Sequence, residues 1–588
     1  MFEREQQAIE QQIREYLEQH DIPEPAEIQW NSIPFSGSWG ISTPCFPLAA
    51  QEARSGKKVN VPQRAQEIAS GLAEHMGTPA GFDRVEAVRG YLNLYFSSND
   101  YSTRVVDLVL ESGPDFGRHQ PRGETVMVEY SNPNTHKAFH VGHLRSAILG
   151  ESMARILDFA GYDVVRANYI GDMGLHVIKW LWNYMRSHMG EKPPENTTSW
   201  MGDLYSEAVQ ELERNPELEV EVRDLYTRWD QRDPEIVALW EETRQWSLDH
   251  FKEMYAILDI HFDRWYSNSE MEQPGKVVVQ QLIDEGIAED ERPDGGPVIV
   301  RIDEQLGLEN EKYRVLVVLR SDGTALYSTE DLALAIQKFN DYDLDSSIYI
   351  VDVRQSLHFQ QVFKTLEIAG YPWANRSQHL PYEVVNLPGN VVMASRDGTI
   401  VLLELLIDEA YQRAKETVEQ KNPSLSDSEK EAVAKAVGMG ALKYPMLARD
   451  NAKIVTFDWQ SALDFNGQAA PYIQYAHVRA NSILRRIEDS LPDSVQIDYE
   501  LEAAEIQLIN SIARFPSEVQ RAAEEYKTLH ITNLAFELAR DFNDFYKNCP
   551  VLTAAPGIWE YRLRLVAAAR QTISNALNLL SIQAPHVM

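Results

Sequence analysis

Residues 126–143 read VMVEYSNPNTHKAFHVGH, and this stretch decides the fold. The apolar run at its start predicts a buried strand, the polar residues after it predict a turn, and a helix is expected to begin near Val141. Two histidines, His140 and His143, flank Gly142 at that helix start. Unpaired backbone N–H groups and the helix dipole favour an anion there, and a glycine lets a phosphate or a flat ring approach the backbone closely. The stretch therefore predicts a strand–loop–helix unit with an anion-binding loop.

Two other interpretations of the histidine pair stay open. A His-x-x-His pair on a helix can be half of a metal site, but that site needs further ligands, and the chain has only two cysteines, Cys45 and Cys549. The two histidines can also be incidental surface residues.

Length and composition indicate a globular protein of several domains. The chain has 588 residues, of which 44% are hydrophobic and 24% charged. No apolar stretch approaches the roughly 18–20 residues that span a bilayer, and the polar N-terminus does not resemble a signal peptide. Two distant cysteines give no disulfide framework, which suits a reducing compartment. We therefore expect a cytoplasmic protein without a membrane partner.

The charge is distributed unevenly along the chain. The net charge is −34, although a protein that binds nucleic acid is expected to present basic surface. Residues 191–312 carry a net charge of −19, whereas residues 116–190 carry +2. The acidic block is interpreted as a solvated surface, with a protein or cation partner as the alternative. The predicted anion site lies outside the acidic block, within residues 116–190.

From Glu124 onward, predicted strands and helices alternate. Such alternation predicts a doubly wound parallel α/β sheet. The predicted strands are 124–131, 162–169, 313–319 and 347–352, with helices over 141–160 and from Thr329 and His358. We predict a small N-terminal α/β domain over 1–115, a catalytic domain over 116–455 with a mostly helical insertion at about 191–312, and an all-α helical bundle over 456–588.

Two further segments predict parts of the site. Residues 166–174 (RANYIGDMG) end a predicted strand, where open α/β sheets bind ligands. Residues 319–333 (LRSDGTALYSTEDLA) place Tyr327 and Asp331 four apart on one helix face. A phenol and a carboxylate that converge on a pocket suit a guanidinium, which stays protonated and presents a planar fork of donors. A capped surface helix is the alternative.

These motifs resemble those of class I aminoacyl-tRNA synthetases, and of the arginyl-tRNA synthetase family in particular. His-Val-Gly-His resembles the HIGH signature, and the upstream Ser-x-Pro-Asn with Lys137 resembles the arginyl version. The resemblance covers nearly the whole chain, with the motifs in the family's order. It implies a Rossmann-like catalytic domain, an N-terminal domain that touches the outer corner of tRNA, and a C-terminal anticodon-binding domain.

The resemblance also implies an activity. The expected reaction is ligation of L-arginine to the 3′-terminal adenosine of tRNA(Arg), through an arginyl-adenylate made from ATP, with Mg²⁺ carried by the ATP. Family members usually require bound tRNA before activation. We expect the protein to act as a monomer.

Residue roles follow from the same resemblance. The implied catalytic residues are Lys137, His140, His143 and Arg396. The implied ATP-binding residues are His140, Gly142, His143, Met393 and Ser395. The implied arginine-binding residues are Glu129, Asn134, His140, Tyr327, Asp331 and Gln355. The implied tRNA-binding residues are Asn93, Tyr472 and Arg479. Asn93 is equally well read as a buried structural asparagine, and aromatic residues at helical spacing, such as Tyr472, are often core.

Two departures from the family pattern bear on this hypothesis. Residues 392–398 (VMASRDG) lie where the family carries its KMSKS loop, but Ser395 takes the catalytic lysine position and Asp397 replaces a second lysine. Stabilising a phosphoryl transition state requires cations, which Lys137 and Mg²⁺ can supply. Glu330 stands where family members often have Arg or Thr.

Two alternatives remain at this point. One is an enzyme of the same fold that uses another amino acid. The other is a non-catalytic tRNA-binding paralogue, which only the altered loop favours.

Overall fold

The structure is a computed structural model that describes residues 3–33, 38–54, 58–139, 141–387, 391–392, 402–487 and 490–588. The chain divides into two compact units. The first comprises Met1–Phe116, Arg479–Arg514 and Glu537–Thr572, and the second comprises Gly117–Val478, Phe515–Phe536 and Ile573–Met588. The domain limits predicted from the sequence stay a prediction.

The first unit contains a four-stranded antiparallel sheet. In spatial order its strands are Asn31–Ser32, Gly40–Pro44, Tyr91–Phe96 and Phe82–Val88. Leu92, Leu94 and Phe96 are buried in turn, so one face of the sheet forms the core. The helices of this unit are Glu3–Gln19, Phe46–Arg54, Val61–Met76, Ser98–Ser112 and Ala503–Ala513, with a 3-10 turn at Gly113–Asp115.

A five-stranded parallel sheet forms the centre of the second unit. Its strands, in chain order, are β1 (Thr125–Glu129), β2 (Asp163–Ile170), β3 (Arg264–Ser267), β4 (Ser346–Asp352) and β5 (Ser377–Tyr382). Their spatial order is β5-β4-β1-β2-β3, and Glu129 pairs with Ala167 on one side and Tyr349 on the other. The predicted parallel α/β sheet is therefore confirmed. The crevice outside β1 and β4, where the strand order reverses, is the position at which such sheets bind ligands.

Helices connect these strands, because parallel strands need crossover connections. The helices that matter for the site are α1 (Val141–Phe159), α2 (Leu175–Asn183), α3 (Pro234–Ile257), α4 (Asn268–Asp284), α5 (Tyr327–Asp341) and α6 (Ser356–Ile368). A buried apolar cluster joins Met127 and Ala167 of the sheet to Val279 of α4 and Leu332 of α5.

Two elements differ from the sequence-based expectation. The strand Val315–Leu319 does not join the parallel sheet; it pairs antiparallel with Val298–Arg301, which in turn pairs with Glu289–Asp290. Val315 and Val317 are exposed while Leu316 and Val318 are buried, a pattern typical of an antiparallel strand with one solvated face. The short strand β3 of the parallel sheet lies inside the stretch 191–312, which was expected to be mostly helical.

The remaining elements of the described chain are as follows. Further helices of the second unit are Thr197–Arg214, Glu219–Asp230, Ile302–Gln305, Leu403–Lys421, Asp427–Leu447, Trp459–Ala462 and Phe515–Glu524. A small sheet contains Val385–Leu387, Val391–Val392 and Val455–Thr456, and short 3-10 or π turns occupy Tyr184–His188, Pro216–Leu218, Arg292–Asp294, Val353–Gln355 and Ala374–Arg376. Helices Ala470–Leu484, Leu529–Asn548 and Ile558–Leu579 contribute residues to both units. Among the described residues, no helix is long and apolar enough to cross a membrane.

Candidate active site at the carboxyl ends of the parallel strands

The loop between β1 and α1 has an unusual backbone. Ser131, Asn132 and His136 adopt φ values of 75°, 50° and 58°, in the left-handed region that non-glycine residues seldom enter. Such conformations persist only where the surrounding structure holds them, and they cluster at functional sites.

Side chains of α1 and α3 hold this loop in place. The Ser131 amide donates to Ser146 Oγ at 3.0 Å, and Ser131 Oγ lies 2.7 Å from the Tyr255 hydroxyl. His136 is buried, and its Nε2 lies 2.8 Å from Thr243 Oγ1. Burial keeps the pKa of His136 well below its usual value, so the ring is neutral at physiological pH. The loop is thus fixed by buried polar contacts on two helices.

A buried ion pair fixes the end of β1. Glu129 Oε2 lies 2.5 Å from Lys338 Nζ of α5, and both side chains are almost fully buried. The other oxygen, Oε1, accepts a hydrogen bond of 2.9 Å from Asn132 Nδ2, while Asn132 Oδ1 accepts one of 3.1 Å from the Tyr169 amide. Burial lowers the pKa of Lys338, and the neighbouring Glu129 carboxylate opposes that shift. Glu129, predicted to contact arginine, therefore has both oxygens engaged by the protein.

The turn after β2 packs directly against the β1 loop. The Thr135 amide donates to the Gly171 carbonyl at 2.9 Å, and the Gly171 amide donates to the Pro133 carbonyl at 3.0 Å. A Cβ on Gly171 would lie 2.1 Å from Asn134 Oδ1, so only glycine leaves room for that side chain. The next residue, Asp172, is fully buried and accepts a hydrogen bond of 2.6 Å from Arg244 Nε. The predicted Gly-Asp-x-Gly element thus borders the loop of the first motif.

One cavity lies at the start of α1. Its volume is about 310 Å³, and it is lined by four of the residues predicted to bind substrates: Asn134, Gly142, His143 and Gln355. The loops after β1 and β4 both contribute to it, as expected for the carboxyl edge of a parallel sheet. The N-terminus of the 19-residue helix α1 borders this cavity, which favours bound phosphate.

A second, larger cavity of about 740 Å³ is bordered by α5. Tyr327, the first residue of that helix, and Glu330 line it, and Tyr327 is 63% exposed. Asp331 lies four residues after Tyr327 and is 2.5 Å from His358 Nε2 of α6. Of the predicted arginine-binding residues that the structure describes, Asn134 and Gln355 line the smaller cavity and Tyr327 lines the larger one, whereas Glu129 and Asp331 line neither.

Arg145 lies two residues after His143, and the sequence predicted no role for it. It is fully buried on α1, and its guanidinium donates to the backbone carbonyls of Glu383, Val384 (3.2 Å) and Lys453 (3.0 Å). Burial lowers the pKa of Arg145 to about 10. The side chain therefore fastens α1 to the segments next to the small sheet of Val385–Leu387 and Val455–Thr456.

Lys338 was missed by the sequence analysis altogether. The available signal was its position on α5, because a lysine four residues after Leu334 and three after Ala335 lies within the helix's buried stripe. A charged residue in such a stripe is expected to have a buried partner.

Four of the predicted site residues are not described by the structure, and a fifth, Lys137, lies against an aromatic ring. His140, Met393, Ser395 and Arg396 lie outside the described residues. Lys137 Nζ lies 5.2 Å from the centroid of the Tyr205 ring, and burial lowers the pKa of its ammonium group.

The predicted tRNA contacts occupy different surroundings. In the first unit, Asn93 Oδ1 accepts a hydrogen bond of 2.7 Å from Ser42 Oγ, and the Arg479 guanidinium lies 4.8 Å from the centroid of the Tyr546 ring. In the second unit, Tyr472 is half-buried, with its ring 5.4 Å from that of Phe536. Their roles toward tRNA stay predictions.

Comparisons with known proteins identify the class to which this site belongs. A family model described as tRNA synthetases class I (R), catalytic domain, matches residues 105–459, and one described as DALR anticodon binding domain matches residues 473–588. The fold and the catalytic domain are thus those of a class I aminoacyl-tRNA synthetase.

Similar proteins narrow the family further. The chain is 33% identical over 579 residues to the arginine–tRNA ligase of Alkaliphilus metalliredigens, covering 98% of this chain and 96% of that protein. It is 35% identical over 545 residues to that of Clostridium perfringens, covering 92% of each. The solved arginyl-tRNA synthetase of Thermus thermophilus superimposes with a TM-score of 0.78 at 27% identity, covering 99% of this chain and all of that one. The chain belongs to the arginyl-tRNA synthetase family.

Proposed function

We propose that this protein ligates L-arginine to the 3′-terminal adenosine of tRNA(Arg) in two steps, using ATP with its bound Mg²⁺. The arginine carboxylate attacks the α-phosphate of ATP, which forms arginyl-adenylate and releases pyrophosphate. A terminal hydroxyl of the tRNA then attacks the mixed anhydride and releases AMP. The residues of the site position the reactants and stabilise developing charge.

The observation that carries the proposal is the convergence of three loops at one sheet edge. The loops after β1, β2 and β4 bring together Asn134, Gly171 and Gln355, with the N-terminus of α1 beside them. A nucleotide triphosphate fits the helix start, since the N–H groups there are oriented towards an anion. The amino acid then lies between this helix start and α5, where Tyr327 and Asp331 supply acceptors for a guanidinium.

Lys137 is proposed as the cation that compensates for the altered loop at residues 392–398. No acidic side chain forms an ion pair with Lys137 among the described residues, and burial already lowers the pKa of its ammonium group. A phosphate would therefore be the strongest partner within reach of this group. Removal of Lys137 should lower the rate of adenylate formation by roughly 10²–10³-fold, as is typical of one electrostatic stabiliser.

We further propose that the protein acts as a monomer in the cytoplasm, with tRNA bound before arginine is activated. Both cysteines, Cys45 and Cys549, are buried free thiols, which supports a reducing compartment. Sedimentation of the purified chain with and without tRNA tests the oligomeric state.

The test of the function is aminoacylation of total tRNA with radiolabelled arginine and ATP–Mg²⁺. Lys137→Ala is measured beside the wild type, with Lys179→Ala as the matched control. Lys179 already pairs with Glu219 at 3.1 Å, so its loss should leave the rate unchanged. Charging with arginine that is lost only in Lys137→Ala supports both the reaction and the role of Lys137. Tight tRNA binding without any charging would overturn the proposed function.

A further inference from the structure

A short chain of contacts runs from Glu330 in the larger cavity to Asn134 in the smaller one. Asn134 lines the smaller cavity and touches Gly171, and a Cβ on Gly171 would also lie 3.5 Å from Asn268 Oδ1. Asn268, the first residue of α4, donates through Nδ2 to the Tyr169 hydroxyl at 2.7 Å and to Glu330 Oε2. Glu330 lines the larger cavity. The two cavities are therefore neighbours, with Gly171 and Asn268 between Asn134 of the smaller cavity and Glu330 of the larger one.

The carboxylates around Glu330 already have basic side chains as partners. Glu129 lies 2.5 Å from Lys338, Asp172 lies 2.6 Å from Arg244, and Asp331 lies 2.5 Å from His358. Glu272, which lines the same cavity as Glu330, lies 2.9 Å from Lys276.

Glu330 has no such partner. Within the part of the chain that the structure describes, it forms no ion pair, and Oε1 accepts no hydrogen bond. The side chain is only 8% exposed. An anionic carboxylate so buried and unpaired is costly unless a cation reaches it. Burial, reinforced by the neighbouring Asp331, accordingly raises the pKa of Glu330 to about 8.

The charged and titratable groups that face Glu330 come from every element around it. They are Tyr327 and Asp331 of α5, Glu272 of α4, Asp172 of the turn after β2, and Tyr169 of β2, with His176, Arg223, Tyr226, Arg320 and Asp322 elsewhere on the cavity wall. The acidic groups among them disfavour the ionised form of Glu330. In the described part of the chain, neither Arg223 nor Arg320 forms an ion pair with Glu330, so a cation with several donors can still bind its carboxylate.

We propose that Glu330, together with the Tyr327 hydroxyl that lines the same cavity, receives the guanidinium of substrate arginine, and that arginine binding releases one proton from Glu330. This inference rests on the proposed function. The guanidinium stays protonated and carries five donors, so it can bond the Glu330 carboxylate and the Tyr327 hydroxyl at the same time. The Glu330 proton passes to solvent as the guanidinium arrives, and no covalent bond changes. Glu330 is thereby a specificity-determining residue, because a neutral side chain of the same shape would leave the carboxyl protonated and unpaired.

The direction of the pH effect follows from the protonation state of Glu330 in the protein without arginine. Below pH 8 Glu330 is mostly protonated, and arginine selects the ionised form, so binding must strengthen as the pH rises towards 8 and level off above it. One proton released per arginine corresponds to about tenfold in affinity per pH unit well below pH 8. Between pH 6.5 and 8.5 the dissociation constant should fall roughly 25-fold.

The experiment is calorimetric titration of the full chain, with saturating tRNA(Arg) transcript and no ATP, by L-arginine from pH 6.5 to 8.5. Titrations in two buffers of different ionisation enthalpy count the protons released at pH 7. The wild type should release about one proton and show the roughly 25-fold change. Glu330→Gln should bind arginine more weakly at pH 8.5, release no proton and show a flat profile. Glu272→Gln, the matched control in the same cavity, should keep the wild-type slope.

Two results would overturn the inference. One is a flat wild-type profile; the other is a slope and proton release that persist in Glu330→Gln, which would assign the titration to another group. Thermal unfolding of the variants identifies any loss of fold. If arginine is charged but its charging does not depend on pH, this inference is wrong and the proposed function stands. If arginine is neither bound nor charged at any pH, the proposed function is wrong as well.

Discussion

The ion pair between Glu129 and Lys338 gives the sharpest prediction, because both side chains are almost completely buried and lie 2.5 Å apart. Replacing Lys338 with Met keeps the apolar stem of the side chain and removes the charge. The Glu129 carboxylate is then left without its cation, with the Asn132 hydrogen bond as its remaining side-chain bond. Lys338 Nζ also lies 3.6 Å from the centroid of the Tyr349 ring, and that contact is lost too.

The expected cost is about 3–5 kcal/mol, the usual effect of removing one partner from a buried ion pair. The double variant Glu129→Gln/Lys338→Met should recover most of this loss, since a neutral pair of similar volume leaves no buried charge. Lys364→Met serves as the matched control, because Lys364 pairs with Glu367 on the surface and such pairs contribute about 0–1 kcal/mol.

Guanidinium unfolding, followed by circular dichroism, measures these differences. Lys338→Met should shift the midpoint strongly to lower denaturant and should also lower kcat/KM for arginine, because Asn132 and the β1 loop lose their anchor. A midpoint equal to that of the wild type, or a double variant as unstable as the single one, would refute the reasoning.

Three further predictions concern the same unit and its substrates. Gly171→Ala should displace the Asn134 side chain, because Asn134 Oδ1 would lie 2.1 Å from the new Cβ. Steady-state kinetics should show a KM for arginine that is raised by roughly 10–100-fold, while the melting temperature stays unchanged. An unchanged KM would contradict this. Arg145→Met should lower the free energy of unfolding, measured with denaturant, by about 3 kcal/mol, because the carbonyls of Glu383, Val384 and Lys453 lose a buried donor. A loss below about 1 kcal/mol would show that these contacts are dispensable. Filter binding of tRNA should weaken steeply between 50 and 200 mM salt, by about 10³-fold if six phosphates are contacted, in spite of the net charge of −34; a flat profile would exclude local basic contacts.

The parts of the fold that the sequence predicted well are those encoded locally. The apolar run before Ser131 forms a strand in the structure, and Gly142 lies in the first turn of a helix, as predicted. The alternation of strands and helices after Glu124 predicted the parallel sheet. Tyr327 and Asp331 were placed on one helix because their spacing matches one helical turn.

The parts that could not be predicted depend on distant partners. The strand Val315–Leu319 reads as an unbroken apolar run, and only its pairing with Val298–Arg301 decides that it is antiparallel. Strand β3 has four residues and lies in an acidic stretch, so periodicity gives little signal. Arg145 and Lys338 are anchored by groups more than 200 positions away in the sequence, and the contact between Glu330 and Asn268 likewise joins two separate helices.

The measurement that tests the central claim most directly is charging of total tRNA with each proteinogenic amino acid in turn, in the presence of ATP–Mg²⁺. The account predicts that arginine alone is attached, that the attachment requires ATP, and that pyrophosphate exchange is weak until tRNA is added. Attachment of a different amino acid, or saturable tRNA binding with no attachment at all, would contradict it.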